Sequence, residues 1–172
     1  MRAFGRSRML LGFVAVSAML AVMPVGVQAD GGGGTTTSAP GRSDDADYTA
    51  AVKAIKANDF ASAIPLLQGV VARDARNADA YNWLGYATRR KGDAAAAIPL
   101  YQKALALDPK HRGAHEYIGE AYLLLDEPLK AKQHLTTLNS LCFMPCPEYS
   151  DLKKAVEAYE KSGGKVKPTA AN

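Results

Sequence analysis

Cys142 and Cys146, in the stretch LCFMPCP, are the two thiols of this chain and its residues best suited to covalent chemistry. Four positions apart and separated by Pro145, they can approach within disulfide reach, and an oxidising compartment would close the bond. In the chain-entropy model so short a loop contributes only about 2 kcal/mol, so a bond here sets local geometry more than global stability. A redox pair is the second chemistry. Cys146 precedes Pro147, where it would cap a helix whose positive dipole end favours a thiolate. Its spacing is C-x-x-x-C, however, not the C-x-x-C of redox motifs, and no alternation of strands and helices surrounds it. Met144 places a soft thioether between the thiols, a ligand set that suits copper(I).

Little else points to catalysis. His111 and His115 are four apart and could share a helix face, but His111 falls in a turn, and with His134 they form no ligand pattern; a polar surface pair is expected. There is no haem-attachment motif, nucleophile elbow, phosphate-cradling glycine loop or paired-carboxylate site with supporting context. The sequence therefore predicts a non-enzyme with no metal and no cofactor.

The elements that must position these residues repeat. Ala78 to His111 (ADAYNWLGYATRRKGDAAAAIPLYQKALALDPKH) is a 34-residue unit whose spacing recurs on both sides, giving repeats over 44–77, 78–111 and 112–145. Ala63, Ala97 and Ala131 coincide, as do Asn58, Gly92 and Asp126, then Asp59, Asp93 and Glu127, and Leu67, Tyr101 and Leu135. Gly85 pairs with Gly119 and with Ala51. Such a unit is two antiparallel helices at close range: small Gly85, Ala97 and Ala104 where the axes approach, and Tyr81, Leu84, Ile98 and Tyr101 filling the volume beside them. Gly92-Asp93 makes the turn and caps the next helix, and Asp108-Pro109 ends the unit.

Tyr81, Leu84, Gly85, Gly92, Asp93, Ala97, Tyr101, Ala104 and Pro109 stand where the tetratricopeptide repeat family places its large, small and helix-ending residues, and the chain resembles that family. The resemblance implies an all-α fold, a helical-hairpin solenoid of three repeats. A capping helix over 147–161 would follow, with Tyr149, Leu152, Val156 and Tyr159 on its apolar face. Three departures carry expectations. The first repeat has Asp47 where a bulky residue is usual and Ala75 in place of the closing proline, which predicts a frayed or irregular start. Phe143 replaces the closing proline of the third. Pro65 and Pro99 fall well inside their helices, which predicts a local bend in each.

In this family the first helices line a concave face, and the resemblance assigns Tyr48, Val52, Asn82, Tyr86, Arg89, Glu116, Glu120 and Leu123 to a groove that binds a protein or peptide. Its tyrosines supply contact area, Arg89 can pair with a carboxylate, and Glu116 with Glu120 makes an acidic end. The paired Lys and Asn pattern that grips a terminal carboxylate in some repeat proteins is missing. The cysteine segment is similar, over a few residues, to the C-x-x-x-C-P of exported copper-delivery proteins of the Sco type, so a thiol-disulfide or copper-handling assembly factor stands as the alternative function.

Met1 to Arg8 carries three arginines and no acid, Met9 to Met23 is apolar, and Val27-Gln28-Ala29 fits a small-x-small cleavage site. Residues 1–29 are thus predicted to be a secretory signal peptide, and the protein periplasmic; if uncleaved, the segment would anchor it to the membrane. The chain resembles the small exported tetratricopeptide repeat proteins of Gram-negative bacteria. Removing the signal leaves 18 basic against 17 acidic residues, which gives no reason to expect a nucleic acid partner. The Gly- and Thr-rich segment 30–43 is expected to be a flexible linker and 162–172, from Ser162-Gly163-Gly164 onward, a disordered tail. Together these features predict an adaptor or assembly factor for an envelope complex.

Overall fold

A computed structural model describes residues 45–164; the predicted signal peptide, the linker and residues 165–172 of the tail lie outside the described residues. Among those described there are seven helices and no strand: α1 (Ala46–Lys56), α2 (Phe60–Arg73), α3 (Ala78–Arg90), α4 (Ala94–Leu107), α5 (Arg112–Leu124), α6 (Pro128–Leu141) and α7 (Pro147–Lys161). None of them is long and apolar enough to cross a membrane. Helices α1, α3 and α5 each pack on the even-numbered helix that follows, and each hairpin on the next, with α7 against both α5 and α6.

The turns inside the hairpins repeat in detail. Asn58, Gly92 and Asp126 adopt left-handed backbone with φ of 59°, 99° and 60°, a conformation that Asn, Asp and Gly tolerate best. The residue after each opens the next helix. Asp59 and Asp93 accept from the amides of Ser62 and Ala96 at 3.1 and 2.8 Å. Glu127 makes no such cap bond; there Pro128, at the first helical position, removes one orphan donor instead. Between hairpins Asn77 and His111, one period apart, cap α3 and α5 through Ala80 and Ala114.

The predicted fraying at the start of the first repeat is not what the structure shows. Asp45 accepts from the amides of Asp47 and Tyr48, and Arg73, at the end of α2, reaches the carboxylates of Asp45 and Asp47 at 3.1 and 2.8 Å. A cap tied to the partner helix holds the end that the repeat pattern leaves weak. Helices α2 and α4 run through Pro65 and Pro99, both exposed, where a carbonyl without an amide donor can face water.

Close approach explains the small residues. A Cβ on Gly85 would lie 2.7 Å from the ring of Tyr101, and one on Gly119 would lie 2.6 Å from Leu152. Tyr101, Leu67, Ile118, Leu138 and Leu152 are fully buried. Leu84, Ile118 and Leu152 are one period apart and all buried, so α7 lies in the register of the first helix of a further repeat. Leu152 and Val156 are its buried residues.

The histidines depart from expectation: His115 is buried and its partner is His134 on α6, not His111. Their Nδ1 atoms stand 2.9 Å apart, and His115 Nε2 lies 3.1 Å from the carbonyl of Pro109. A carbonyl only accepts, so His115 donates from Nε2 and its Nδ1 must accept from His134. Tyr122 stacks on His134 with 5.8 Å between ring centroids. Burial lowers both pKa values, His134 from 6.5 to about 4 with the neighbouring His115 adding to the effect. A group with depressed folded pKa contributes stability that is complete above its unfolded value and is lost as pH falls. Thermal stability is therefore expected to fall as pH drops from about 6.5 toward 4, and His134→Gln, which can still donate to His115, should flatten that limb. Melting curves across this range check it; an equally steep limb in the variant would remove the assignment.

Candidate binding groove

Successive first helices bring equivalent positions side by side, and the groove is read in columns of three. Tyr48, Asn82 and Glu116 form one; Thr49, Trp83 and Tyr117 the next; Val52, Tyr86 and Glu120 the third; Ile55, Arg89 and Leu123 the last. The last column is buried, at 5%, 5% and 0% exposure. Leu123 is therefore not a groove contact, as the family positions implied; it belongs to the core with Leu138 and Ala131, because the final turn of each first helix lies beneath its neighbours. Asn82 is also buried, at 4%. Tyr48, Val52, Tyr86, Glu116 and Glu120 are half-buried. Tyr48 and Val52 line a shallow cleft of about 340 Å³ with Thr49, Lys53 and Lys56.

The centre is aromatic. Tyr86 packs edge-on against Trp83 and Phe60, with centroids 5.6 and 6.1 Å away, and lies 4.8 Å from Tyr117. Arg90 sits over Phe60 and Tyr86 at 4.7 and 5.3 Å, donates to the Tyr86 hydroxyl and reaches Asn58 at 3.3 Å. Of this cluster the family positions named only Tyr86. Trp83 and Tyr117, aromatic and one period apart, were visible in the alignment of repeats; Phe60 and Arg90 join them only through tertiary packing.

Beside the aromatics lies a charged network. Arg89, a cation in a column otherwise filled by Ile55 and Leu123, pairs with Glu120 at 2.7 Å, the two side chains being 3% and 17% exposed. The same guanidinium lies 5.5 and 5.7 Å from the rings of Tyr86 and Tyr117. Burial first, and then repulsion from Glu120, Asp151 and Glu148, push the Glu116 carboxyl up to about 8, against the pull of Arg89. Burial likewise raises Glu120, against the pull of Arg89. Asn82 Oδ1 and Arg89 Nε make no hydrogen bond with the described residues. Among those residues no group of three or more His, Cys, Asp or Glu side chains could hold a metal ion. The groove thus offers flat apolar faces, hydrogen-bond acceptors and negative charge, which suit recognition of another chain.

Two profiles described as tetratricopeptide repeat match this sequence, over residues 48–112 and 89–156, and together they span more than half of it. The chain belongs to the tetratricopeptide repeat family. Its fold is similar to several solved structures of such solenoids. One is MamA from AMB-1, at 24% identity with a TM-score of 0.53 over 56% of each chain. Another structure of MamA aligns at 25% identity with a TM-score of 0.59, over 69% of this chain and 68% of that one. The type III secretion translocator chaperone SycD of Yersinia enterocolitica aligns at 20% with a TM-score of 0.58, over 67% of this chain and 87% of its own. Against the AMB-1 protein the alignment spans little more than half of that protein's length. No curated protein matches.

The two cysteines lie at the far end, between α6 and α7. Their Cα atoms are 5.9 Å apart with the sulfurs paired. Cys146 is buried and precedes α7, while Phe143 and Met144 project into solvent at 104% and 73% exposure.

Proposed function

We propose that this tetratricopeptide repeat chain is an exported, non-catalytic interaction module that holds a partner protein, or an extended segment of one, against the first-helix groove, as an adaptor or assembly factor for an envelope complex. The observation that carries the proposal is the shelf of Trp83, Tyr86 and Tyr117, half-buried aromatics in mutual contact, which offer contact area at low entropic cost. A translocator chaperone of similar fold is in keeping with such work. Export rests on the amino-terminal arginines, the apolar run and Val27-Gln28-Ala29, which support a periplasmic location reached through a cleaved signal; left uncleaved, the segment would tether the module to the membrane. The near balance of charge after cleavage gives no support to a nucleic acid partner.

Affinity capture from envelope extract tests the proposal. Partners retained by the native chain are expected to be lost from a variant carrying Trp83→Ala and Tyr86→Ala, which should retain its helical content. Partners held equally by both would move the working surface away from the groove. Fractionation of cells with sequencing of the mature amino terminus tests export, and a cytoplasmic chain with intact residues 1–29 would end that part of the proposal.

For the cysteines we propose a disulfide that staples α7 to the end of α6. Burial of Cys146 supports a structural bond over a redox or copper role, since catalytic thiols sit in accessible, electropositive surroundings. Replacing both by serine is expected to cost about 2 kcal/mol or less, with helical content retained, and thiol titration of the denatured native protein should find none free. A bond opened by mild reductant, or a bound copper ion, would favour the thiol-disulfide or copper-handling alternative.

A further inference from the structure

The walls of the groove beside the aromatic shelf are lined by acceptors whose local cations are already committed. On α5, Glu116 has neither an ion pair nor a hydrogen bond with the described residues. Glu120 is held by Arg89 of α3 at 2.7 Å. From α7, Glu148 and Asp151 act on Glu116 by repulsion, and their own cations are spent, Arg112 lying 3.7 Å from Glu148 and Lys154 3.1 Å from Asp151. Four carboxyl groups thus share three cations, and the one left over is Glu116, half-buried like Glu120 and Glu148.

A second observation is independent of the acids. Asn82 is 4% exposed, its Nδ2 comes within 3.4 Å of where a Cβ on Gly113 would stand, and its Oδ1 has no partner. The carboxamide therefore turns toward α5 one turn before Glu116 and presents an unmatched acceptor. Leaving such an atom buried and unpaired costs about 1–3 kcal/mol, a cost that an incoming donor relieves. Tyr117 and Tyr86 supply ring faces within reach of the same place, already in use by Arg89 at 5.7 and 5.5 Å.

We propose that the groove takes a cationic side chain, arginine or lysine, from the partner segment, its head against Glu116 and the acids of α7, its stem along Tyr117 and Tyr86. Charge complementarity selects this occupant: an acidic segment would add its charge to a wall that already holds Glu120, Glu148 and Asp151, and a neutral one would supply no counter-charge that lets Glu116 ionise. Guanidinium fits best, since its several donors can serve a carboxylate and the Asn82 carbonyl together while its plane stacks on tyrosine. Binding would let Glu116 ionise where burial now holds its proton. The proposal rests on the groove being the working surface.

The test is an array of immobilised extended octapeptides with one central position varied, probed with the full-length chain. Arg and Lys at that position are expected to bind about tenfold better than citrulline or norleucine, an advantage that shrinks in high salt. Glu116→Gln, which leaves the fold intact, should erase most of that preference, and Asp151→Asn should weaken it. Trp83→Ala should instead weaken all peptides alike. Binding that depends on Trp83 without preferring a cation, or a preference unmoved by Glu116→Gln and Asp151→Asn, would overturn this inference and leave the groove reading intact. Binding indifferent to Trp83, or none at all, would overturn both.

Discussion

Arg89→Ala is expected to lower the unfolding free energy by about 3–5 kcal/mol, because it strips the partner from a carboxylate that cannot reach water freely. Glu120 is 17% exposed and pairs with Arg89 at 2.7 Å, so the truncation leaves an uncompensated charge as well as a cavity between Tyr86 and Tyr117. The pair itself is not a source of great stability, since bringing two ions out of water offsets most of their attraction. Neighbouring repeats supply the control. At the Arg89 position they carry Ile55 and Leu123, and at the Glu120 position Val52 and Tyr86. The double replacement Arg89→Leu with Glu120→Val should therefore recover most of what Arg89→Ala loses. Urea unfolding of the three variants decides it. A double variant as unstable as Arg89→Ala would mean that the loss comes from packing volume and not from the stranded charge.

The second large effect has the opposite sign. Glu116→Gln is expected to stabilise the protein by roughly 1–3 kcal/mol at pH 8 and above, and by little at pH 4.5. The folded pKa of Glu116 is raised from 4.5 to about 8, first by burial and then by repulsion from Glu120, Asp151 and Glu148. A carboxyl raised in this way contributes stability that is complete below its unfolded value and is lost as pH rises through its folded value. Glutamine resembles the neutral acid at every pH and escapes the loss. The difference in melting temperature between variant and native protein should thus open between pH 4.5 and about 8 and then level off. A difference that stays flat over that range would show Glu116 to be well solvated. Stability gained by removing a charge from the groove is a usual mark of a group kept for binding.

How much of this was legible beforehand depends on the scale of the interaction. The hairpins, their turns and their order follow from residues whose effects are local. Asn58, Gly92 and Asp126 need only tolerate positive φ, and Asp59 and Asp93 need only reach an amide three residues away. A period of 34 residues then forces equivalent side chains into columns, which is why Ala63, Ala97 and Ala131 are all buried. The groove was legible as a surface for the same reason, and Trp83 with Tyr117 could have been added by following aromatics through the repeat.

Within that frame, single sequence positions could not say whether a side chain faces a partner or the core. Arg89, Asn82 and Leu123 occupy first-helix positions that the family uses for contacts, yet all three are buried, because neighbouring helices settle how far each column is covered. The His115 and His134 pair was hidden too, since its rings meet across α5 and α6, nineteen residues apart in the chain. The sequence by itself determined the repeat, its caps and its turns, which are short-range matters of backbone conformation and amide bonding. Only the tertiary structure decided which charges are paired and which are stranded, because burial and Coulomb interaction depend on distance through space: Asp151 lies thirty-five residues from Glu116 in the chain and yet raises the cost of charge on it.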